Sequence, residues 1–187
     1  MIFFLNGVKH YLNNLPLWKD RKSTVFWRGG VSGGQLESIR CRTVHKLLDY
    51  PDSDVKLTRG WELPNVIPDN FFSDRVNYRD FLDYKIFLVI DGNCIASSHM
   101  WAFGTGCVPL IISDAKCWFN KFLIPFVNYI PINYDLSNLI EQIEWVKNND
   151  AEAEQIGKNA LQFAYHNFSP SFQEKYLIDE IVEYLNS

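Results

Sequence analysis

The sequence predicts an α/β domain built on a Rossmann-like parallel sheet, and three observations carry that expectation. Tyr84 to Ile90 (YKIFLVI) is an unbroken, largely apolar run of strand length, the pattern of a strand covered on both faces. Around it the chain reads strand, loop, helix, strand, the order of a βαβ unit. The last third places apolar residues at helical spacing, which supplies the layers that such a sheet needs.

Taken in order, Thr24 to Trp27 form a short buried strand, followed by Arg28 and a loop holding Gly29, Gly30, Gly33 and Gly34. Leu36, Ile39, Val44, Leu47 and Leu48 then suggest a helix with one mainly apolar side. The stretch from Asp49 to Asp83, rich in Pro, Asn and Asp, reads as a loop and is the only plausible internal break in a single domain over residues 1–187. The strand from Tyr84 stops at Asp91-Gly92-Asn93. Ser97 to Thr105 can form a helix and Cys107 to Ile112 the next strand, with Pro109 arguing for an irregular or near-edge position. Ser137 or Asn138 caps a helix that carries Leu139, Ile140, Ile143 and Val146 on one face, and Asp150 caps another with Ile156, Ala160, Phe163 and Ala164 as its buried stripe. Ser169-Pro170 opens a third, whose Phe172, Tyr176, Leu177, Ile181 and Leu185 would pack on the sheet or brace a neighbouring domain.

Composition narrows the function. With 187 residues, 47% of them hydrophobic and 16% aromatic, the chain can bury a real core. A net charge of -4 offers no broad cationic face for nucleic acid. Cys41, Cys94, Cys107 and Cys117 contain no CxxC pair, and His45 is the one histidine at helical spacing from a cysteine, which argues against zinc. A core of this size does not require disulfides, so the thiols are expected to be reduced and the protein cytoplasmic. Ile2 to Leu5 is too short for a signal core or a membrane span, so no transmembrane segment is expected.

Two constellations can carry chemistry. Trp27-Arg28-Gly29-Gly30 sets an arginine beside a glycine loop, which suits a diphosphate because glycines expose backbone N–H groups and arginine supplies a charged fork; an ordinary strand-to-helix turn with a surface arginine has the same pattern. Asp91-Gly92-Asn93, with Ser97 and Ser98, lies just past the carboxyl end of a strand, where open α/β sheets bind ligands. A β-hairpin at Asp-Gly is the alternative there, and the serines either meet a phosphate or only cap the helix. Arg40 and Arg42 are on the helix after the glycine loop, where one can reach back to the phosphates or both remain solvated. His45 and His99 lack a nucleophile partner and read as surface or core residues. Trp118 and Phe119 could wall a pocket or simply fill the core. No carboxylate cluster is spaced to hold a metal beside a phosphate.

The ordered set VFWRGG at 25–30, the arginine-bearing helix at Arg42, YKIFLVIDGN at 84–93, GTGCVPLI at 104–111 and WFNKFLIPFVNYIPINYDLSNLIEQIEWVKNND resembles glycosyltransferase family 90. That family comprises Rumi-type protein O-glucosyltransferases, capsule-associated xylosyltransferases and lipopolysaccharide-modifying relatives. The resemblance implies the donor-binding half of a GT-B enzyme, an architecture of two facing Rossmann-like domains, binding a nucleoside diphosphate sugar, uridine-linked, without a metal or other cofactor. It implies donor contacts at Arg28, Gly29, Gly30, Arg42, Asp91, Gly92, Asn93, Ser97 and Ser98. Gly30 stands where a serine is often found, and Ser98 stands where the family has a third arginine. The implied reaction is inverting transfer of a sugar to a glycan or protein hydroxyl, with a non-catalytic sugar-nucleotide-binding or assembly module as the alternative. Only 26 residues precede Trp27, with Asp20 their single carboxylate, so the catalytic base and most of the acceptor domain are expected outside this chain, which is then either a fragment or completed by a second polypeptide.

Overall fold

The computed structural model describes residues 15–32, 36–60 and 67–186. Gly33 and Gly34 of the glycine loop, and the Ile2 to Leu5 run, lie outside the described residues. The strands are β1 (Lys22–Gly30), β2 (Ser53–Thr58), β3 (Phe72–Ser73), β4 (Tyr84–Ile90), β5 (Val108–Ile112) and β6 (Ile130–Pro131). The helices are α1 (Ile39–Lys46), α2 (Ser98–Trp101), α3 (Leu139–Asn148), α4 (Asp150–Asn167) and α5 (Pro170–Asn186).

All strand pairs are parallel, in the order β3-β2-β1-β4-β5-β6. This is the Rossmann order, and it reverses between β1 and β4. The two central strands carry the middle of the core: Val25, Phe26 and Trp27 on β1 and Ile86 to Ile90 on β4 are almost completely buried. On one face Phe26 stacks on Tyr84 and meets Phe81 edge-on, and Phe81 in turn meets Phe87 and Trp101. On the other, Arg40 of α1 lies over the Trp27 ring. A strand covered on both faces must be apolar on both, which is why β4 reads as a continuous run.

The expected strands and helices are present, with two corrections, in the Asp49 to Asp83 stretch and at Asp150. The Asp49 to Asp83 stretch holds two strands rather than a plain loop. In β2, Val55 and Leu57 are buried, but Asp54 and Lys56 alternate with them and hide the strand, while β3 is only two residues long. Pro109 lies near an edge, as expected, on the strand next to edge strand β6. Its missing N–H is tolerated because β6 pairs only with Leu110 and Ile111, leaving that side of Pro109 outside the ladder. Asp150 opens α4 rather than capping it. Asn149 is the cap residue, and the Asp150 carboxylate turns away to the Trp18 indole and to Lys85. Of the two readings of the DG turn, the hairpin is excluded, since β4 pairs parallel with both neighbours.

Trp118 and Phe119 belong to a second cluster, with Phe103, Phe163 and Phe168, so they fill the core rather than wall a pocket. Phe172 and Tyr176 of α5 rest against its Trp118–Phe122 rim. Beyond them Leu177, Ile181 and Leu185 are 60%, 49% and 75% exposed, so this half of α5 does not pack on the sheet.

Candidate active site

Ligands of open α/β sheets sit beyond the carboxyl ends of the strands, at the point where strand order reverses. Here that crevice lies between the ends of β1, at Gly30, and β4, at Ile90. Arg40 closes its floor. Its Nη1 donates to the Gly30 carbonyl at 2.8 Å, its Nε to the Asp91 carbonyl at 3.0 Å and its Nη2 to the Ile90 carbonyl at 3.3 Å. One guanidinium thus ties both strand ends, as its planar fork permits. Burial pulls Arg40 below the ordinary arginine range, and the nearby Asp91 charge opposes that shift.

Gly92 fits because it has no side chain. A Cβ there would come within 2.8 Å of Ser32 Oγ and 3.1 Å of Arg40 Nη2, so the loops after β1 and β4 approach each other only at a glycine. Asp91 is buried, and its Oδ2 accepts from Ser113 Oγ at 2.6 Å. Its Oδ1 faces His99 Nε2 at 3.3 Å, although neither atom forms a hydrogen bond there. His99 Nδ1 is 3.1 Å from the Ala96 carbonyl. Burial pushes His99 below the usual imidazole value, against the pull of Asp91 and of that carbonyl; Arg40 adds to the lowering. Asn93 and Ser97 are exposed on the rim, while Ser98 is buried. Ser97 occupies the cap position of α2 without bonding a helix N–H, so it is not acting as a side-chain cap.

The structure therefore unites Gly30, Asp91 and Gly92, with Asn93 and Ser97 on the rim above them. Two expected arginines are placed differently. Arg28 points back along β1, where its Nη2 meets Asp54 Oδ1 at 2.5 Å and its Nη1 bonds the Trp27 and Asp54 carbonyls. Its guanidinium is thus at the level of the Phe26–Asp54 pair, short of the strand end. Arg42 is ~200° around α1 from Arg40. Among the described residues it makes no hydrogen bond or ion pair, and its charge helps to lower the Asp135 pKa, behind the Ser137 hydrogen bonds. Gly29 has a packing role, because a Cβ would run into the Trp27 ring, 2.8 Å from Cη2.

Sequence reasoning missed Ser113 and undervalued His99. Ser113 could have been found, since it is the residue after β5 and so lies on the same carboxyl edge as Asp91. Asp20 lies just before β1, at the amino end of the sheet, away from the crevice. Among the described residues, no group of three His, Cys, Asp or Glu side chains is placed to hold a metal ion, and no helix is long and apolar enough to cross a membrane.

The model of the family described as "Glycosyl transferase family 90" matches residues 6–186. Protein O-glucosyltransferase 2 of Danio rerio is 28% identical over 156 residues, covering 80% of this chain and 30% of the relative. Protein O-glucosyltransferase 1 of Homo sapiens is 27% identical over 151 residues, covering 78% and 37%. An uncharacterized protein, 179R of Invertebrate iridescent virus 6, is 28% identical over 185 residues, covering 80% of this chain and 16% of that protein. The chain thus spans well under half the length of these relatives. Among solved structures, sucrose-phosphate synthase from Thermosynechococcus elongatus aligns with a TM-score of 0.58 at 12% identity, over 94% of this chain and 48% of that one. TarM aligns with a TM-score of 0.56 at 18% identity, over 84% and 35%. These likenesses show the fold, that of a GT-B glycosyltransferase domain. Together with the match over nearly its whole length, they establish that the chain belongs to glycosyl transferase family 90.

Proposed function

We propose that this chain is the donor-binding part of an inverting, metal-independent glycosyltransferase. It takes a nucleoside diphosphate sugar, uridine-linked, in the crevice between β1 and β4 and passes the sugar to a glycan or protein hydroxyl. The observation that carries this reading is the switch-point crevice itself. Arg40 fixes both strand ends there, Gly30 leaves open space at its Cβ position, and Gly92 lets the two loops meet. Main-chain N–H groups and arginine then stabilise the departing diphosphate, electrostatic assistance that requires no metal charge. Arg42 makes no hydrogen bond or ion pair among the described residues and, from the side of α1 away from Arg40, would reach the phosphates by swinging its long side chain over the helix start; Arg28 contributes by holding Asp54 and the β1–β2 pair.

The acceptor hydroxyl needs a carboxylate base. Asp20 is at the wrong end of the sheet, and Asp91 is held between Ser113 and His99. We take the base and the acceptor surface to come from a further polypeptide segment, in the same protein or a partner; within this chain Asp114, exposed beside Ser113 on the carboxyl edge, is the carboxylate to test against it. The exposed apolar half of α5 and the greater length of the relatives both support such a segment. Calorimetric titration with uridine diphosphate tests the reading. Arg42→Ala should weaken binding by about 1.5 to 3 kcal/mol, the range for a charged hydrogen bond, and a chelator should leave binding unchanged. Unaltered affinity in folded Arg42→Ala, or binding that needs manganese, would refute it. Turnover of a donor sugar separates an enzyme from a module that only binds sugar nucleotides.

A further inference from the structure

His99 sits between two acceptors. The Ala96 carbonyl faces its Nδ1 at 3.1 Å and the Asp91 carboxylate faces its Nε2 at 3.3 Å, and the ring is 3% exposed. A neutral imidazole has one N–H and can serve only one of them. A second proton would serve both, but it would place a buried cation near the Arg40 guanidinium. The charged or titratable groups around this pair are Asp91, Arg40, the Cys117 thiol near Asp91 and the Cys94 thiol near Arg40. Burial outweighs the attraction of Asp91, so the ring is neutral at neutral pH. Of its two tautomers, the one with the proton on Nε2 is favoured, because an ionised carboxylate is a stronger acceptor than an amide carbonyl. A small tilt then aligns Nε2–H with Oδ1, and Asp91 gains a second donor opposite Ser113.

We propose that His99 is a positioning residue for Asp91: its neutral ring and the Ser113 hydroxyl hold the carboxylate from two sides and so fix the 91–98 rim of the crevice. Protonation releases that rim. The sign follows from linkage: the closed rim lowers the affinity of His99 for a proton, so acid favours conformations in which the ring reaches water. The effect on donor binding rests on the function proposed above; the effect on the rim does not.

The test measures amide hydrogen exchange of residues 92–98 in the ligand-free chain at pH about 7.5 and about 5.5, either side of the ordinary imidazole value, corrected for intrinsic rates. In the wild type, exchange should be faster at the lower pH than the intrinsic-rate correction accounts for. His99→Gln keeps an amide donor for Asp91 but cannot take up a proton, so its rim should stay protected at both pH values. His99→Ala should exchange fast at both. Wild-type protection that ignores pH, or His99→Gln showing the same acid loss, would overturn the proposal. Uridine diphosphate titrations complete the experiment, comparing variants because the ligand's own phosphate titrates alike in each. Affinity should fall further in acid for the wild type than for His99→Gln. If the nucleotide fails to bind while the exchange pattern holds, the donor reading fails and His99 keeps its role. If it binds without the exchange pattern, the His99 proposal fails alone.

Discussion

At the amino end of the sheet, side chains meet one another in pairs: Asp150 takes Lys85 and the Trp18 indole, Lys147 meets Asp52, and Tyr50 meets Glu144. At the carboxyl end, the central charge, Arg40, is committed to three main-chain carbonyls, and two buried side-chain atoms, Asp91 Oδ1 and His99 Nε2, stay without a partner. The first arrangement ties one element to another and works wherever opposite charges can approach. The second fixes backbone, which a crevice needs if it is to present N–H groups and loop edges to a ligand at set positions. Unmatched polar atoms do not separate the two ends, since Arg21 Nη1 at the amino end is as unpartnered as Asp91 Oδ1 and His99 Nε2, which face each other at 3.3 Å; the commitment of Arg40 to main chain does. The difference assigns stability to one end and recognition to the other.

The most direct way to break this comparison is Arg40→Ala. It leaves three carbonyls without their donor and removes the nearest positive charge from buried Asp91. The expected loss is about 3 to 5 kcal/mol, the range for stranding a buried charge, read from urea denaturation, together with loss of uridine diphosphate binding. Arg40→Lys should recover less than half of it, since a point charge cannot span three acceptors. A cost below about 1 kcal/mol, the level of an ordinary surface pair, would mean that the two ends do not differ.

Two adjacent glycines sharpen it. Gly29→Ala drives a methyl into the Trp27 ring and should cost about 1 to 3 kcal/mol as overpacking. Gly30→Ala meets open space and should change stability by less than about 0.5 kcal/mol, yet weaken nucleotide binding because the methyl stands in the crevice. Thermal melts and calorimetry of the two variants separate packing from recognition within a single dipeptide.

That dipeptide also shows what could be read from the sequence. β1 and β4 were legible because a strand covered on both faces must be apolar throughout, and α4 because its stripe of Ile156, Ala160 and Phe163 follows the helical period. The crevice was legible through Asp91 and Gly92, since a strand end names its own carboxyl edge. What could not be read is where long side chains go. Arg28, Arg40 and Arg42 are alike in a sequence, but Asp54 on a strand hidden by alternating charges claims the first, the strand-end carbonyls claim the second, and only the third is left uncommitted. Those partners are 10 to 51 residues away in sequence, and no local pattern reports them.

A titration probes the interior near the amino end. Cys107 is fully buried beside Arg21, and burial pushes its thiol up to about 11. The folded state then holds the proton more tightly than the unfolded chain. Stability from this group is complete below the unfolded thiol value near 9 and declines as pH rises towards about 11. Cys107→Ala should lower stability near neutrality through its small cavity, while flattening the alkaline decline by on the order of 2 kcal/mol. Urea midpoints of both proteins between those pH values measure the difference, and parallel curves would show that the thiol does not titrate in this way. Nucleotide affinity near neutrality should be unaffected, because the residue lies at the opposite end of β5 from Ser113.

A small effect on stability and none on binding are expected of Asp150→Asn. The Asp150 carboxylate accepts from Lys85 Nζ at 2.6 Å and from Trp18 Nε1 at 3.0 Å, but its side chain is 58% exposed, so solvent and salt screen the pair. The Lys85 bond lowers its pKa, with the indole bond adding to this, so its stabilisation is present above the ordinary carboxylate value and is lost as pH falls below about 4. Asparagine keeps an acceptor for the indole and gives up the charge. The cost at neutral pH should be a few tenths of a kcal/mol to about 1 kcal/mol, shrinking in about 1 M salt, where the Debye length is only ~3 Å. Uridine diphosphate affinity should match the wild type, because α4 begins at the amino end and no described hydrogen bond of Asp150 reaches the crevice. Should Asp150→Asn instead weaken nucleotide binding as much as Arg42→Ala does, the amino end would be coupled to recognition after all. The division between a paired, stabilising end and a fixed, binding end would then have to be abandoned.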